Sequence, residues 1–179
     1  FRLCEEMVST GKKVIVTTTT HMAYEPERPF AEAGNAQQIQ QNIEEYGYTV
    51  AASLDQNKSK IGSLTEEALV RLKGQADCIL IEADGAKRLP LKVPGEWEPV
   101  IPDFTDLVVG VIGMDAVGQM IRESCHRPER VAAFLNKEQM DPVTEADVIR
   151  IAVSDKALKK AVGRRPYKIF LNKTDLMGK

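Results

Sequence analysis

Cys-Ile-Leu-Ile-Glu-Ala-Asp-Gly-Ala-Lys-Arg-Leu-Pro-Leu-Lys, from Cys78 to Lys92, is the stretch on which the fold turns. Its apolar run, Cys78 to Ile81, is bounded by polar residues and reads as a buried strand. Directly after the run stand Glu82 and Asp84, then Gly85, then Lys87. In open α/β sheets, ligands bind just outside the carboxyl ends of the strands. Acid, acid, glycine and base at that place supply what a magnesium–phosphate site needs. The carboxylates serve the cation, the glycine allows close backbone approach, and the lysine meets phosphate. A strand followed by an ordinary polar turn is written in the same letters, so the rest of the chain has to decide.

Upstream, Thr65 to Lys73 opens with a capping threonine and an acidic first turn and stops at Gly74, which predicts a helix. Lys13 to Thr19 is rich in β-branched residues and predicts a strand, preceded by a helix from Phe1 to Ser9. Between them the sequence predicts a loop over His21 to Gly34, a helix from Asn35 to Tyr46, a strand from Tyr48 to Ala52 and a polar loop from Gln56 to Gly62. Downstream, the segment up to Pro102 is stiffened by Pro90, Pro94, Pro99 and Pro102 and holds the single tryptophan, Trp97, which is expected to pack the loop onto the body. A long loop inside a compact domain tends to be functional. Leu107 to Ile112 reads as a fully apolar strand closing on Gly113-Met114-Asp115. Pro128 to Leu135, Thr144 to Ala152 and Asp155 to Val162 read as helices, and Tyr167 to Leu171 as a last strand. Continuous apolar strands separated by helices are the pattern of an α/β fold with a parallel sheet covered by helices on both faces.

The bulk numbers narrow the classes. At 179 residues the length prior is one domain. Hydrophobic content of 43% and charged content of 28% are ordinary for a globular chain. A net charge of −2 gives no reason to expect nucleic acid or an anionic membrane as partner. Cys4, Cys78 and Cys125 form no Cys-x-x-Cys pair, so neither a disulfide framework nor a zinc site is indicated. The expected compartment is the reducing cytoplasm.

Two further constellations stand at strand ends. Asn172-Lys173-Thr174-Asp175 has the Asn-Lys-x-Asp form that reads guanine. An Asp carboxylate can accept two parallel hydrogen bonds from adjacent N–H groups of guanine, which adenine does not supply. The Asn amide can brace the loop, and the Lys stem can lie along the ring with its charge in water. Asn57-Lys58 and Asn136-Lys137 carry the first two letters without the acid, so position is what raises the first instance. Thr17 to His21 ends the first strand, and hydroxyls there can ligate Mg²⁺ or bond phosphate. Thr17 and Thr18 read as ordinary strand threonines; Thr19, Thr20 and His21 are the candidates. Cys125-His126 is read as a turn into a helix with Pro128 in its first turn, and not as a nucleophile–base pair. All three strand ends are expected at one end of one sheet.

These residues resemble a known family. Val14 to Met22 (Val-Ile-Val-Thr-Thr-Thr-Thr-His-Met), Ile81 to Lys92, Val108 to Gly118, Cys125 to Glu129 and Leu171 to Asp175 look like the YqeC family, accessory proteins of selenium-dependent molybdenum hydroxylases. The resemblance implies a P-loop NTPase fold close to the GTPase metallochaperones. It also implies a cytoplasmic protein that binds GTP with Mg²⁺, hydrolyses it slowly, and serves a client hydroxylase or a cofactor-maturation protein, with a homodimer allowed. By carry-over, Glu82 or Asp84 holds Mg²⁺ through water or orients the attacking water, and Gly85 senses the γ-phosphate. Thr19 and Thr20 belong to the polar cluster, Lys87 touches phosphate, and Asn172, Lys173 and Asp175 read guanine. The His21–Gly34 and Gly85–Pro102 loops are expected to move with the γ-phosphate. The phosphate loop of such a fold, Gly-x-x-x-x-Gly-Lys-Ser/Thr, does not occur in these 179 residues. It is expected upstream of Phe1, with more chain expected beyond Lys179. A second reading stays open: a non-enzymatic carrier of a metal-cofactor intermediate, using Cys125 or the Gly85–Pro102 loop as its contact.

Overall fold

A computed structural model describes residues 1–54 and 60–176. Where length alone suggests one domain, the chain packs as two compact units, Phe1–Gly85 and Ala86–Lys179. Among the described residues no helix is long and apolar enough to cross a membrane.

The first unit begins with α1 (Arg2–Ser9), whose buried Cys4 joins Val14 and Val16 of β1 (Val14–Thr18) in an apolar cluster. Every residue of β1 is buried. With a two-residue period, burial of the whole run means that both faces of the strand are covered. The segment read as a loop over His21 to Gly34 instead contains two short strands, β2 (Met22–Ala23) and β3 (Phe30–Glu32). Runs of this length are too short to show a period, and their partners create them: Phe30 stands opposite Val50, and Met22 opposite Ile61. The helix α2 (Ala36–Tyr46) starts where Asn35 Oδ1 accepts from the Gln38 N–H and ends at Gly47, whose φ of 79° needs no Cβ. Its buried Asn42 donates to the Phe30 carbonyl and to Thr49 Oγ1, tying α2 to β3 and to β4 (Tyr48–Leu54).

The expected polar loop from Gln56 to Gly62 lies partly outside the described residues; its described end is β5 (Lys60–Gly62). Next come α3 (Glu66–Leu72), capped by Thr65, and β6 (Cys78–Glu82). The strand order is β2-β5-β4-β1-β6, with β3 also pairing β4. Pairs β1–β4, β1–β6 and β3–β4 are parallel, while β4–β5 and β2–β5 are antiparallel. The expectation of a parallel sheet is therefore corrected to a mixed one within an α/β fold. The reason is spacing. Leu54 and Lys60 are too close in sequence for the dozen or more residues that a parallel crossover needs. β6 ends the strand order, and all five of its residues are half-buried, not fully buried as its apolar run suggests.

The second unit opens on a tight turn closed by the Leu89 N–H on the Ala86 carbonyl at 2.9 Å. Both central residues are left-handed, Lys87 at φ 50° and Arg88 at φ 65°, which costs L residues about 1–2 kcal/mol each. The short strand β7 (Leu91–Lys92) interrupts the proline-stiffened segment, and β8 (Val108–Gly113) leads into a 3₁₀ turn, Met114–Ala116. Then follow α4 (Ile121–Ser124), β9 (Cys125–His126), α5 (Pro128–Leu135), α6 (Glu145–Val153), β10 (Tyr167–Asn172) and a 3₁₀ turn, Thr174–Leu176. The core gathers Leu91, Ile112, Ile121, Val131, Val148 and Ile151.

β7 pairs with β9 and β8 with β10, both parallel, each pair a two-stranded sheet. The three strand ends expected in one sheet thus belong to two. Three local expectations also change. Asp155 to Val162 forms successive turns, not a helix: Ala157, Lys160 and Val162 each bond three residues back, and Ala161 is left-handed. Trp97 is 87% exposed, so it is not buried against the body as expected. β8 alternates, with Val109 and Val111 exposed and Gly110 and Ile112 buried.

Candidate functional site

In the first unit, the site is built by two neighbouring strand ends. β1 and β6 run parallel in the register Thr18 opposite Glu82, so both carboxyl ends finish at the same level. The Glu82 carbonyl accepts from the Thr19 N–H at 3.0 Å and from Thr18 Oγ1 at 2.9 Å. Thr18 Oγ1 in turn accepts from the Thr20 N–H at 2.9 Å and lies 3.2 Å from Thr20 Oγ1. Thr18, dismissed from sequence as a plain strand residue, is the hub that fixes the Thr18–Thr20 backbone against β6. The signal that finds it is the register of two strands, which a single sequence does not print. Thr19 is buried and Thr20 half-buried. Thr17 Oγ1 is buried with no hydrogen-bond partner among the described residues.

Glu82 is half-buried, and its pKa is raised by burial and by the charge of Asp84. A buried carboxylate beside a second one is a pair that a divalent cation would relieve. Mg²⁺ typically takes one or two protein carboxylates plus waters and phosphates, so Glu82 and Asp84 suit that donor set. Among the described residues, no group of three or more His, Cys, Asp or Glu could hold a metal by itself. Gly85 lies close by. A Cβ there would meet Glu82 Oε1 at 3.6 Å, an ordinary contact, so internal packing does not demand the glycine.

The remaining predicted residues belong to the second unit. Lys87 is exposed on the left-handed turn. Asn172 ends β10, and its Oδ1 accepts from the Lys173 N–H at 3.0 Å, the bracing role expected of it. The ammonium of Lys173 is not simply in water: it donates to Asp115 Oδ2 at 2.7 Å. Asp115 stands in the turn after β8, and the β8–β10 register, Gly113 opposite Asn172, brings the two turns together. Asp115 was quoted from sequence only as a strand ending. Its other oxygen, Oδ1, is buried with no hydrogen-bond partner among the described residues. Asp175 is exposed in the last 3₁₀ turn.

Cys125 is buried, and burial pushes its thiol pKa up; its Sγ lies 3.7 Å from Ser124 Oγ. A protonated, enclosed thiol is neither nucleophile nor handover contact, which removes it from the carrier reading. Sequence reasoning also missed an ionic cluster. Glu98 Oε2 accepts from Lys92 Nζ at 3.0 Å, Arg127 Nη1 at 2.7 Å and the Gly95 N–H at 3.2 Å. Arg127 Nη2 completes a fork on Glu98 Oε1 at 3.0 Å.

Comparison with known proteins gives a family and no fold template. The model of the family described as YqeC protein matches residues 1–129. A protein of Escherichia coli (strain K12) described as "Uncharacterized protein YqeC" is 33% identical over 132 residues, covering 71% of this chain and 52% of that protein. The chain thus spans about half the length of this curated relative. No solved structure matches. The family match takes in Thr18, Glu82, Asp84, Lys92, Glu98 and Arg127 and stops short of Asn172–Asp175.

Proposed function

The chain belongs to the YqeC family, and from that premise we propose that it binds GTP and hydrolyses it slowly with Mg²⁺ as an accessory protein in maturation of a selenium- or molybdenum-containing hydroxylase. The observation that supports the base assignment is the ending of β10. Asn172-Lys173-Thr174-Asp175 follows a parallel strand directly, Asn172 braces the turn, and Asp115 fixes the Lys173 ammonium. That leaves the Asp175 carboxylate, in an exposed turn, to accept the paired N–H groups of guanine.

The first unit supplies the chemistry of cation and phosphate. Glu82 and Asp84 hold Mg²⁺, directly or through water, or orient the attacking water, and Mg²⁺ supplies neutralisation of phosphate charge. The Thr18 hydroxyl holds the backbone of Thr19 and Thr20 in place. Phosphoryl transfer asks mostly for positioning and charge stabilisation, which needs no covalent chemistry from side chains. The maturation role rests on the resemblance carried by Val14 to Met22, Ile81 to Lys92 and Cys125 to Glu129.

The test is a nucleotide titration on the protein at its natural length, with and without Mg²⁺. GTP binding at least tenfold tighter than ATP, and strengthened by Mg²⁺, is expected. Equal affinity for the two nucleotides, or none for either, would sink the guanine reading.

A further inference from the structure

Lys87 and Arg88 follow the carboxylates of β6 closely in the chain, and the nucleotide reading leaves Arg88 unused. The turn that carries them, Ala86 to Leu89, holds both at positive φ. Positive φ at both central positions of a four-residue turn is where Asn, Asp and Gly are the ordinary residues. Here Lys and Arg stand there instead. Among the described residues this is the one place where two non-glycine residues of positive φ adjoin. A glycine is close at hand, yet Gly85 stands just outside the turn and is not among the glycines of positive φ. The chain thus sets long basic side chains where the backbone is strained and its glycine where it is not. Strain of this kind persists only where the surroundings fix it, and it clusters at ligand clamps.

The exit of the turn is fixed. The Gly113 N–H donates to the Pro90 carbonyl at 2.9 Å, and Leu91 is sunk in the core of the second unit. The two cations themselves are exposed, so packing does not demand either side chain. Among the described residues neither side chain takes part in a hydrogen bond or an ion pair. An anchored turn that carries two outward cations at a conformational cost offers their charge to a ligand.

We propose that Lys87 and Arg88 grip the phosphate oxygens of the nucleotide, with the strained turn as their fixed mount. The proposal rests on the nucleotide reading and adds Arg88 to it. A guanidinium can fork two phosphate oxygens, and an ammonium meets them as a compact point charge. The turn opens four residues after β6 ends, and ligands of α/β sheets meet the chain beyond the carboxyl ends of strands.

Glycine replacement separates the backbone from the charge. Lys87→Gly and Arg88→Gly relieve the two left-handed positions, so the melting temperature of the natural-length protein should hold or rise by about 2 °C in each. GTP affinity with Mg²⁺ should nevertheless fall by about tenfold or more in the double variant, while guanosine affinity stays within about twofold. Lys87→Gln with Arg88→Gln keeps the strain and removes the charge; it should lose GTP affinity to the same degree at an unchanged melting temperature. A melting temperature lowered by more than about 2 °C in the glycine variants would make the side chains structural and overturn the proposal. A smaller loss of GTP affinity, or an equal loss for guanosine, would overturn it and leave the guanine reading intact. A wild type that binds no GTP would overturn both.

Discussion

Glu82 and Glu98 are the same side chain in opposite surroundings, one in each unit. Glu82 is pushed up by burial, and Asp84 adds to the push. Burial alone would raise Glu98 too, yet hydrogen bonds from Lys92, Arg127 and the Gly95 N–H bring it down to about 2. The first arrangement gathers negative charge at two strand ends; the second gathers positive charge around one carboxylate. The contrast teaches that the charges and donors around a carboxyl, and not its burial alone, set the direction in which it shifts.

The largest effect expected is from Glu98→Ala. It leaves Lys92 buried and Arg127 unforked, and breaking a buried pair from one side costs roughly 3 kcal/mol or more. Urea denaturation should show the midpoint falling with an unchanged slope; a loss below about 0.5 kcal/mol would mean the cluster is not structural. The sign with pH follows. A carboxylate depressed in the folded state contributes stability above its unfolded pKa, near 4.5, and loses it as pH falls from there towards about 2. Denaturation across that window should be steeper for the wild type than for Glu98→Gln.

Glu82 should behave in the reverse sense. A carboxyl raised in the folded state favours folding at low pH and loses that contribution as pH rises through its folded value. Glu82→Gln is therefore expected to stabilise the metal-free chain at pH 7, by up to about 1 kcal/mol, and not at pH 4. The same variant should lose any stabilisation that millimolar Mg²⁺ gives the wild type. Thermal unfolding with and without Mg²⁺ reads both, and a destabilised variant would mean that Glu82 is structural.

Asp115→Asn should have the smallest effect on the fold. The Lys173–Asp115 pair is partly exposed, so its loss costs about 1 kcal/mol or less. Its mark belongs on recognition: GTP affinity should fall several-fold while the melting temperature barely moves. An unchanged affinity would mean that fixing Lys173 is irrelevant to the base.

Much of this was legible in the chain. Helix ends were readable because their signals are local: Asn35, Thr65 and Thr144 each cap through their own side chains. Strands β1, β4, β6, β8 and β10 were readable because β-branched and apolar residues cluster there. The pairings were not. The antiparallel β5, and β2 and β3 inside an expected loop, exist through partners remote in sequence. So does the division of the expected single sheet into strands of two units. For the sites, the letters of Glu82, Asp84 and Asn172–Asp175 stood out, while Thr18, Asp115 and Glu98 did not. Each of these three acts on a residue at least 29 positions away in the chain.

The guanine assignment stands on one carboxylate, so exchanging it for an amide is the most direct test. Asp175→Asn replaces an acceptor pair with a mixed donor and acceptor, which suits xanthine better than guanine. Nucleotide affinity should be measured for GTP, xanthosine triphosphate and ATP on wild type and variant at natural length. The expected result is a loss of GTP affinity of at least tenfold with a gain for xanthosine triphosphate. Parallel loss of both, or no change in either, would show that Asp175 does not face a base.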